Sequence, residues 1–331
     1  MTARSSTALR LPRLFLMLFA GATLGAGELF AQGQNYGAPF LLLPTGAHAV
    51  GQSDAVVADS ALGGEGIWWN PSALARMRKP ELAIHHSQTF AATSEMVSFV
   101  YPSRLLGTFA AAANVVDYGG GGIATDSTGA VLGTIVNRNY LFVASYAAPI
   151  GRRLNVGLSA KLILQRLGCA GCGVNVQGST NAIDFGAQYT LPSRIPITFG
   201  ASVRNLGQPL QTKDAEQADP LPPVVQVGAR VRVPIAALDS NDTSLDVLSD
   251  VFSSPAYSGP SIRVGAVLTY SKDYVLRVGY KTPAGVGDNQ GGFSVGLGLT
   301  KGSIGLDFAR RFDSTSQLGT APTYVSLRFT F

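Results

Sequence analysis

Few residues in this 331-residue chain could carry covalent or metal chemistry. The two cysteines stand close together as Cys169-Ala-Gly-Cys172. A redox pair at this spacing needs a strand-to-helix setting with one thiol at a helix start, and the surrounding residues supply neither. A metal site needs further ligands. His48, His85 and His86 are distant from the pair, and adjacent His85 and His86 on a strand point to opposite faces. After export, a disulfide pinning a loop between strands fits Cys169 and Cys172 best. The run Gly119–Ile123 lacks the Gly-Lys-Ser/Thr ending of a phosphate loop and reads as a hairpin connection. Ser, His and Asp occur, but without a nucleophile elbow or a spaced triad. The expectation is a protein that is not an enzyme, with no catalytic residues, no cofactor and no metal.

The charges that remain alternate with apolar residues. Arg204, Arg230, Arg232, Arg263 and Arg277 fall on what would be the inward faces of strands, with Asp184, Glu65 and Asp59 as available partners. Two uses stay open: an internal salt-bridge network, or the lining of an anion-selective channel. Arg310-Arg311 reads as the aqueous end of a strand.

The elements that hold these charges are period-two strands. Residues 154–165 put Leu154, Val156, Leu158, Ala160, Leu162 and Leu164 on one face, with Ile163 as the exception on the other. The same alternation runs through 183–189, 197–204, 225–233, 261–270, 274–281, 293–300 and 303–308. It ends in 323–331, where Val325, Leu327, Phe329 and Phe331 share a face. Weaker candidates are 82–86, 95–101, 106–115, 140–147 and 244–250, the last of which could instead be a loop helix. Together they make about fourteen strands, an even number able to close a barrel, joined by short turns on one side and longer loops such as 282–291 and 312–322 on the other.

Composition favours a membrane barrel over a soluble sandwich. Glycine is 39 of 331 residues, charged residues are 14%, and mean hydropathy is +0.21. Soluble domains carry more charge. Beyond the N-terminus no segment approaches the roughly eighteen continuous apolar residues of a transmembrane helix. Residues 1–31 read as a signal peptide: Arg4, Arg10 and Arg13, then an apolar stretch from Leu14 to Gly27, then Ala31 before the cut. Removing them takes away three basic residues and one acidic, so the formal charge of +5 falls to +3. That is too small and dispersed for a nucleic-acid partner.

Many inward positions are Gly or Ser, which cannot fill a barrel of this size. Something else must occupy the interior, and the segment before the first strand is the candidate. Within it, residues 45–74 contain Gly46, Ala47, Ala49, Gly51, Ala55, Val57, Ala58 and Asp59, followed by Trp69, Asn70, Pro71, Ala73 and Leu74. This pattern resembles the N-terminal signature of the PorV/PorQ family, related to the FadL-type outer-membrane transport proteins. His48, Gln52-Ser53 and Ser72-Ala73 depart from it.

The resemblance implies an all-β, FadL-like transmembrane antiparallel barrel in the bacterial outer membrane, with an N-terminal segment plugging its lumen. The expected organisation is a signal peptide (1–31), a plug (32–80) and a barrel (81–331). The leading function is passive binding or uptake of small hydrophobic molecules. Phe40, Leu41, Leu42, Leu43, Trp68, Trp69, Asn70 and Pro71 are the candidate ligand or plug contacts. Asn70-Pro71 makes a turn and residues 72–77 a short helix. Some relatives of this kind carry hydrophobic compounds, whereas others serve the type IX secretion system. The expected partners are therefore outer-membrane lipid and a hydrophobic ligand. Alternatively, a secretion-system or cargo protein would meet loops 119–137 and 207–222, or the protein is mainly structural.

Overall fold

The computed structural model describes residues 36–89, 92–119, 122–211, 218–234, 242–285, 291–313 and 321–331. The proposed signal peptide and parts of loops 207–222, 282–291 and 312–322 lie outside the described residues. The strands are β1 (Glu81–Gln88), β2 (Thr93–Ser103), β3 (Gly107–Asp117), β4 (Ile123–Thr125), β5 (Val131–Ile150), β6 (Leu154–Cys169), β7 (Val174–Thr190), β8 (Ile197–Gly207), β9 (Val224–Val233), β10 (Ser244–Ser253), β11 (Ser261–Tyr270), β12 (Tyr274–Lys281), β13 (Gly292–Lys301), β14 (Ile304–Asp313) and β15 (Thr323–Thr330).

Every pairing is antiparallel, and each barrel strand has a partner on both sides. The first strand pairs with the last, with His85 opposite Ser326. The short β4 pairs only with β5, while β3 pairs directly with β5 and completes the ring. Fourteen strands therefore form a closed barrel, which leaves no exposed edge within the ring.

The burial pattern is inverted relative to a soluble protein. Outward residues such as Leu82, Ile84, Val97, Phe99, Leu158, Phe185, Val227, Val264, Leu297 and Phe308 are exposed. Inward residues such as Ser98, Asp184, Gln188, Gln226, Asp250, Asp307 and Ser326 are buried. An apolar outer surface around a polar, buried interior is that of a barrel in a bilayer, and this is an outer-membrane protein. The short turns 104–106, 151–153, 191–196, 271–273 and 302–303 lie at one end together with the connection 234–243; the other end carries the connections 208–223, 282–291 and 314–322.

Residues 36–79 lie within the ring, against the inward faces. They contain little regular structure: 3-10 turns at Pro39–Leu42, Gly63–Glu65 and Pro71–Arg76, and single α-turns at Ala47–Gly51 and Gly66–Trp69. Phe40, Leu41, Leu62, Ile67, Trp68, Trp69 and Leu74 form an apolar cluster with Met96, Val100, Leu141 and Ile163 from the strands. Ile163, the exception to outward alternation in β6, is an inward residue packed in this cluster.

Two sequence expectations change. Residues 119–137 are not simply a loop, because 123–125 and 131–137 are strand, and the β6–β7 hairpin runs to Cys169 and Val174. Residues 131–136 have their large side chains exposed on both faces. No burial contrast marks them, so they are strand only through ladder hydrogen bonds to their neighbours. The open question at 244–250 resolves as strand β10 rather than a loop helix.

Candidate functional site

A segment with so little secondary structure must have its backbone groups satisfied from elsewhere. The barrel does this with inward polar side chains. The Asp250 carboxylate accepts the N–H groups of Val56 and Val57 at 2.7 and 2.9 Å. Gln226 donates to the Asp54 carbonyl at 2.9 Å, and Gln188 donates to the Val57 carbonyl at 3.0 Å. Ser326 accepts the Ala47 N–H at 2.9 Å, and Glu81 accepts that of Gly64 at 2.6 Å. Within the segment, Asn70 caps the turn that follows it: its Oδ1 accepts from the Ser72 backbone and hydroxyl, while its Nδ2 donates to the Val57 carbonyl.

Inward glycines give the segment room. A Cβ at Gly186 would overlap the Asn70 side chain, and one at Gly200 would overlap the Val57 carbonyl. The turn at Ser53 and Asp54 has positive φ at both residues, 53° and 63°. Such a conformation costs of order 1–3 kcal/mol per residue and persists only where surroundings impose it. Here Ser53 meets Ser294 at 2.8 Å and Asp54 pairs with Arg311 at 2.6 Å.

Charge forms a chain toward the short-turn end. Arg230 reaches Asp59 at 3.7 Å and Asp246 at 2.7 Å, and Arg232 also pairs with Asp246. His48 Nε2 lies 2.9 Å from Asp59, and Arg277 Nη2 lies 3.0 Å from His48 Nδ1. Because a guanidinium only donates, Nδ1 is the acceptor and Nε2–H is given to Asp59. This neutral tautomer agrees with burial, and next the Arg277 charge, pushing His48 below its ordinary value. Burial would raise Asp59, but His48, Arg230 and Gln52 hold its carboxyl well below the usual range. Arg277 and Arg328 both pair with Asp307.

The remaining candidates are placed as follows. Arg204 donates to the Trp68 carbonyl and to Gln226, and stacks 5.1 Å from the Trp69 ring. Trp68 and Trp69 are buried, and Trp69 Nε1 donates to the Thr45 carbonyl. Phe40, Leu41, Asn70 and Pro71 are buried, and Leu42 and Leu43 half-buried. Arg263 lies 3.9 Å over the Phe252 ring. Cys169 and Cys172 form a disulfide at the tip of β6.

Three expected partnerships differ. Asp184 pairs with Lys161 rather than with an arginine, because Lys161 is its inward neighbour across β6–β7. Glu65 pairs with no arginine among the described residues; its carboxyl group accepts the N–H groups of Ala49 and His48 instead. Arg311 is not at an aqueous end but is buried against Asp54, leaving Arg310 as the exposed member of the pair. Gln188 and Gln226, which donate to the segment, and Asp250, which accepts from it, carried no signal in the sequence beyond being polar residues in strand candidates.

Cavities flank the segment at both ends. Toward the long-loop end, Leu41, Leu42, Trp68, Trp69, Phe252, Tyr257 and Arg263 enclose about 20 Å³. That is room for a water, whereas a cavity of about 150 Å³ holds benzene. Toward the short-turn end, a vestibule of about 560 Å³ is lined by the His48–Asp59 pair, Arg230, Arg232, Asp246 and Arg277.

No family model matches the chain, and no curated protein matches it. Solved structures do. The toluene transporter TbuX of Ralstonia pickettii is 16% identical, with a TM-score of 0.52, over 86% of this chain and 98% of that one. The monoaromatic hydrocarbon channel CymD is 12% identical, with a TM-score of 0.58, over 88% and 98%. A deltaS2S3 mutant of the monoaromatic hydrocarbon channel TodX is 11% identical, with a TM-score of 0.53, over 86% and 97%. At these identities the likeness shows the shared barrel fold. None of these matches points to the PorV/PorQ group or to secretion cargo.

Proposed function

We propose that this protein passes small hydrophobic molecules, of monoaromatic size and polarity, across the outer membrane without an energy source, and that residues 36–79 are the gate. The observation that carries this reading is the tight packing of the segment among the described residues of the long-loop half. Leu41, Leu42, Trp68 and Trp69 pack there beside Arg204, Arg263, Lys281 and Arg311, and together they leave only about 20 Å³. A ring-sized ligand enters only if the segment moves. The contacts holding it are hydrogen bonds and glycine-sized gaps, which can be exchanged without unfolding strands. The neighbours whose fold it shares, a toluene transporter and a monoaromatic hydrocarbon channel, support the ligand class. Polar groups around the vestibule at the opposite end make a wet exit.

The test is uptake of toluene against a sugar of similar size, in vesicles whose outer leaflet is lipopolysaccharide and resists hydrophobic solutes. Reconstituted protein should accelerate toluene entry and leave the sugar excluded. Equal acceleration of both, or of neither, counts against this reading. Deleting residues 36–79 should make the barrel permeable to both.

A further inference from the structure

The small cavity near the long-loop end is unusual in its charge. Arg204, Arg263, Lys281 and Arg311 line it with a single carboxylate, Asp54. Asp54 is engaged by Arg311 at 2.6 Å. Arg204 uses Nη1 and Nη2 on the Trp68 carbonyl and Gln226, and its Nε finds no acceptor among the described residues. Arg263 is 6% exposed, with Phe252 covering one face of its guanidinium, and both Nε and Nη1 find no acceptor among the described residues. A guanidinium cannot shed its proton to escape burial, so its charge and its N–H groups must be met by a partner.

Around the cavity Arg204 and Arg263 lie near one another and near Asp54 and Asp250, and Arg311 and Lys281 lie near Asp54. Asp184 is held by Lys161, and Asp250 Oδ2 takes the Val56 and Val57 N–H groups and Gln226, while Asp250 Oδ1 finds no donor among the described residues.

The geometry points to a binding site for one small monovalent anion, a halide such as chloride, between the N–H groups of Arg263 and Arg204. The volume admits one body the size of a water and excludes sulfate and organic acids. The anion meets the positive lining of the cavity, accepts hydrogen bonds that no group among the described residues takes, and joins Asp54, Trp68 and Trp69 of the segment to β8, β11 and β14. It therefore fastens the segment in place. The competing occupant is a water bridging Arg263 to Asp54, whose Oδ1 also lacks a donor among the described residues.

Thermal unfolding of the full chain in detergent, with sodium chloride replacing sodium gluconate at constant ionic strength, separates the two. Constant ionic strength removes general screening, and gluconate is too large for the cavity. Chloride should raise the midpoint saturably in the native protein. The rise should be absent in Arg263→Met and retained in Arg194→Met, a change in the distant short turn. Crystals of the native protein grown in bromide give a reading that needs no variant: an anomalous peak within hydrogen-bond reach of Arg263 is expected. Equal midpoints in chloride and gluconate, a chloride response that survives in Arg263→Met, or no anomalous signal beside Arg263 would each overturn the proposal.

Discussion

Glu65 gives the sharpest expectation at the scale of single residues. It belongs to the interior segment and is buried beside Ser326 and His85, with its oxygens on two backbone N–H groups. Burial, reinforced by Asp307, pushes its carboxyl from 4.5 up to about 8, against the N–H bonds and Arg277. A segment released into water would return it to its ordinary value. The seated state therefore binds the extra proton, and the contribution of Glu65 to seating is greatest below pH 4.5, weakens as pH rises toward about 8, and is level above it. Both tryptophans of the chain, Trp68 and Trp69, lie in the segment, so intrinsic fluorescence reports its seating. Glu65→Gln should flatten the dependence between pH 5 and 8; an unchanged profile would show that another group controls it. Arg311→Met should be costly in a different way. It strands the buried Asp54 carboxylate, a change of about 3–5 kcal/mol when one member of a buried pair is lost. Hydrogen exchange at residues 36–79 should rise accordingly, and Asp54→Asn added to Arg311→Met should restore part of the protection. Neither role was legible beforehand. Arg310 and Arg311 are adjacent, and only the register of β14 decides which one turns inward. Asp54 lies 257 residues away from its partner.

At the scale of elements, the strands were legible because a bilayer outside and a polar interior impose opposite demands on alternate residues. The alternation located β6 to β9 and β11 to β15 from apolar residues alone, left β10 open, and failed where that contrast vanishes. Residues 131–136 project with their large side chains exposed on both faces, so they carry no period and read as loop. Ile163 broke the pattern because the interior beside it is apolar, filled by Trp68, Leu74 and their neighbours. The most informative signal was the smallness of the inward residues, which said that something fills the barrel without saying how it is held. Gly200 and Gly186 show the fit: each lies where a side chain would meet the segment backbone or Asn70. Gly200→Val should therefore unseat the segment while sparing the strands, with an overpacking penalty of about 1–3 kcal/mol. The expected outcome is a red-shifted tryptophan emission with an unchanged β-sheet circular dichroism spectrum. Loss of the sheet signal would mean that barrel and segment fold as one unit.

At the scale of the whole molecule, the features combine into a closed barrel with a small cation-lined cavity toward the long-loop side and a larger polar vestibule on the other. The fold class was readable from the sequence as a whole. The resemblance to the PorV/PorQ signature was less informative, since residues 45–74 act here as a packing element and the shared folds are those of hydrocarbon channels. Glycine at the close approaches, side-chain caps for an irregular backbone and a strained Ser53-Asp54 turn are what a seated but removable segment requires. The central claim is that this segment must move for a ligand to pass. Ser53 and Ser294 lie with their hydroxyls 2.8 Å apart, one on the segment and one on β13, so cysteines at both positions should form a tether. The decisive measurement is toluene uptake by the Ser53→Cys, Ser294→Cys protein, oxidised and then reduced, in a background where Cys169 and Cys172 are serine. Uptake should be abolished by the tether and restored by reduction. Undiminished uptake in the fully tethered protein would contradict the gate.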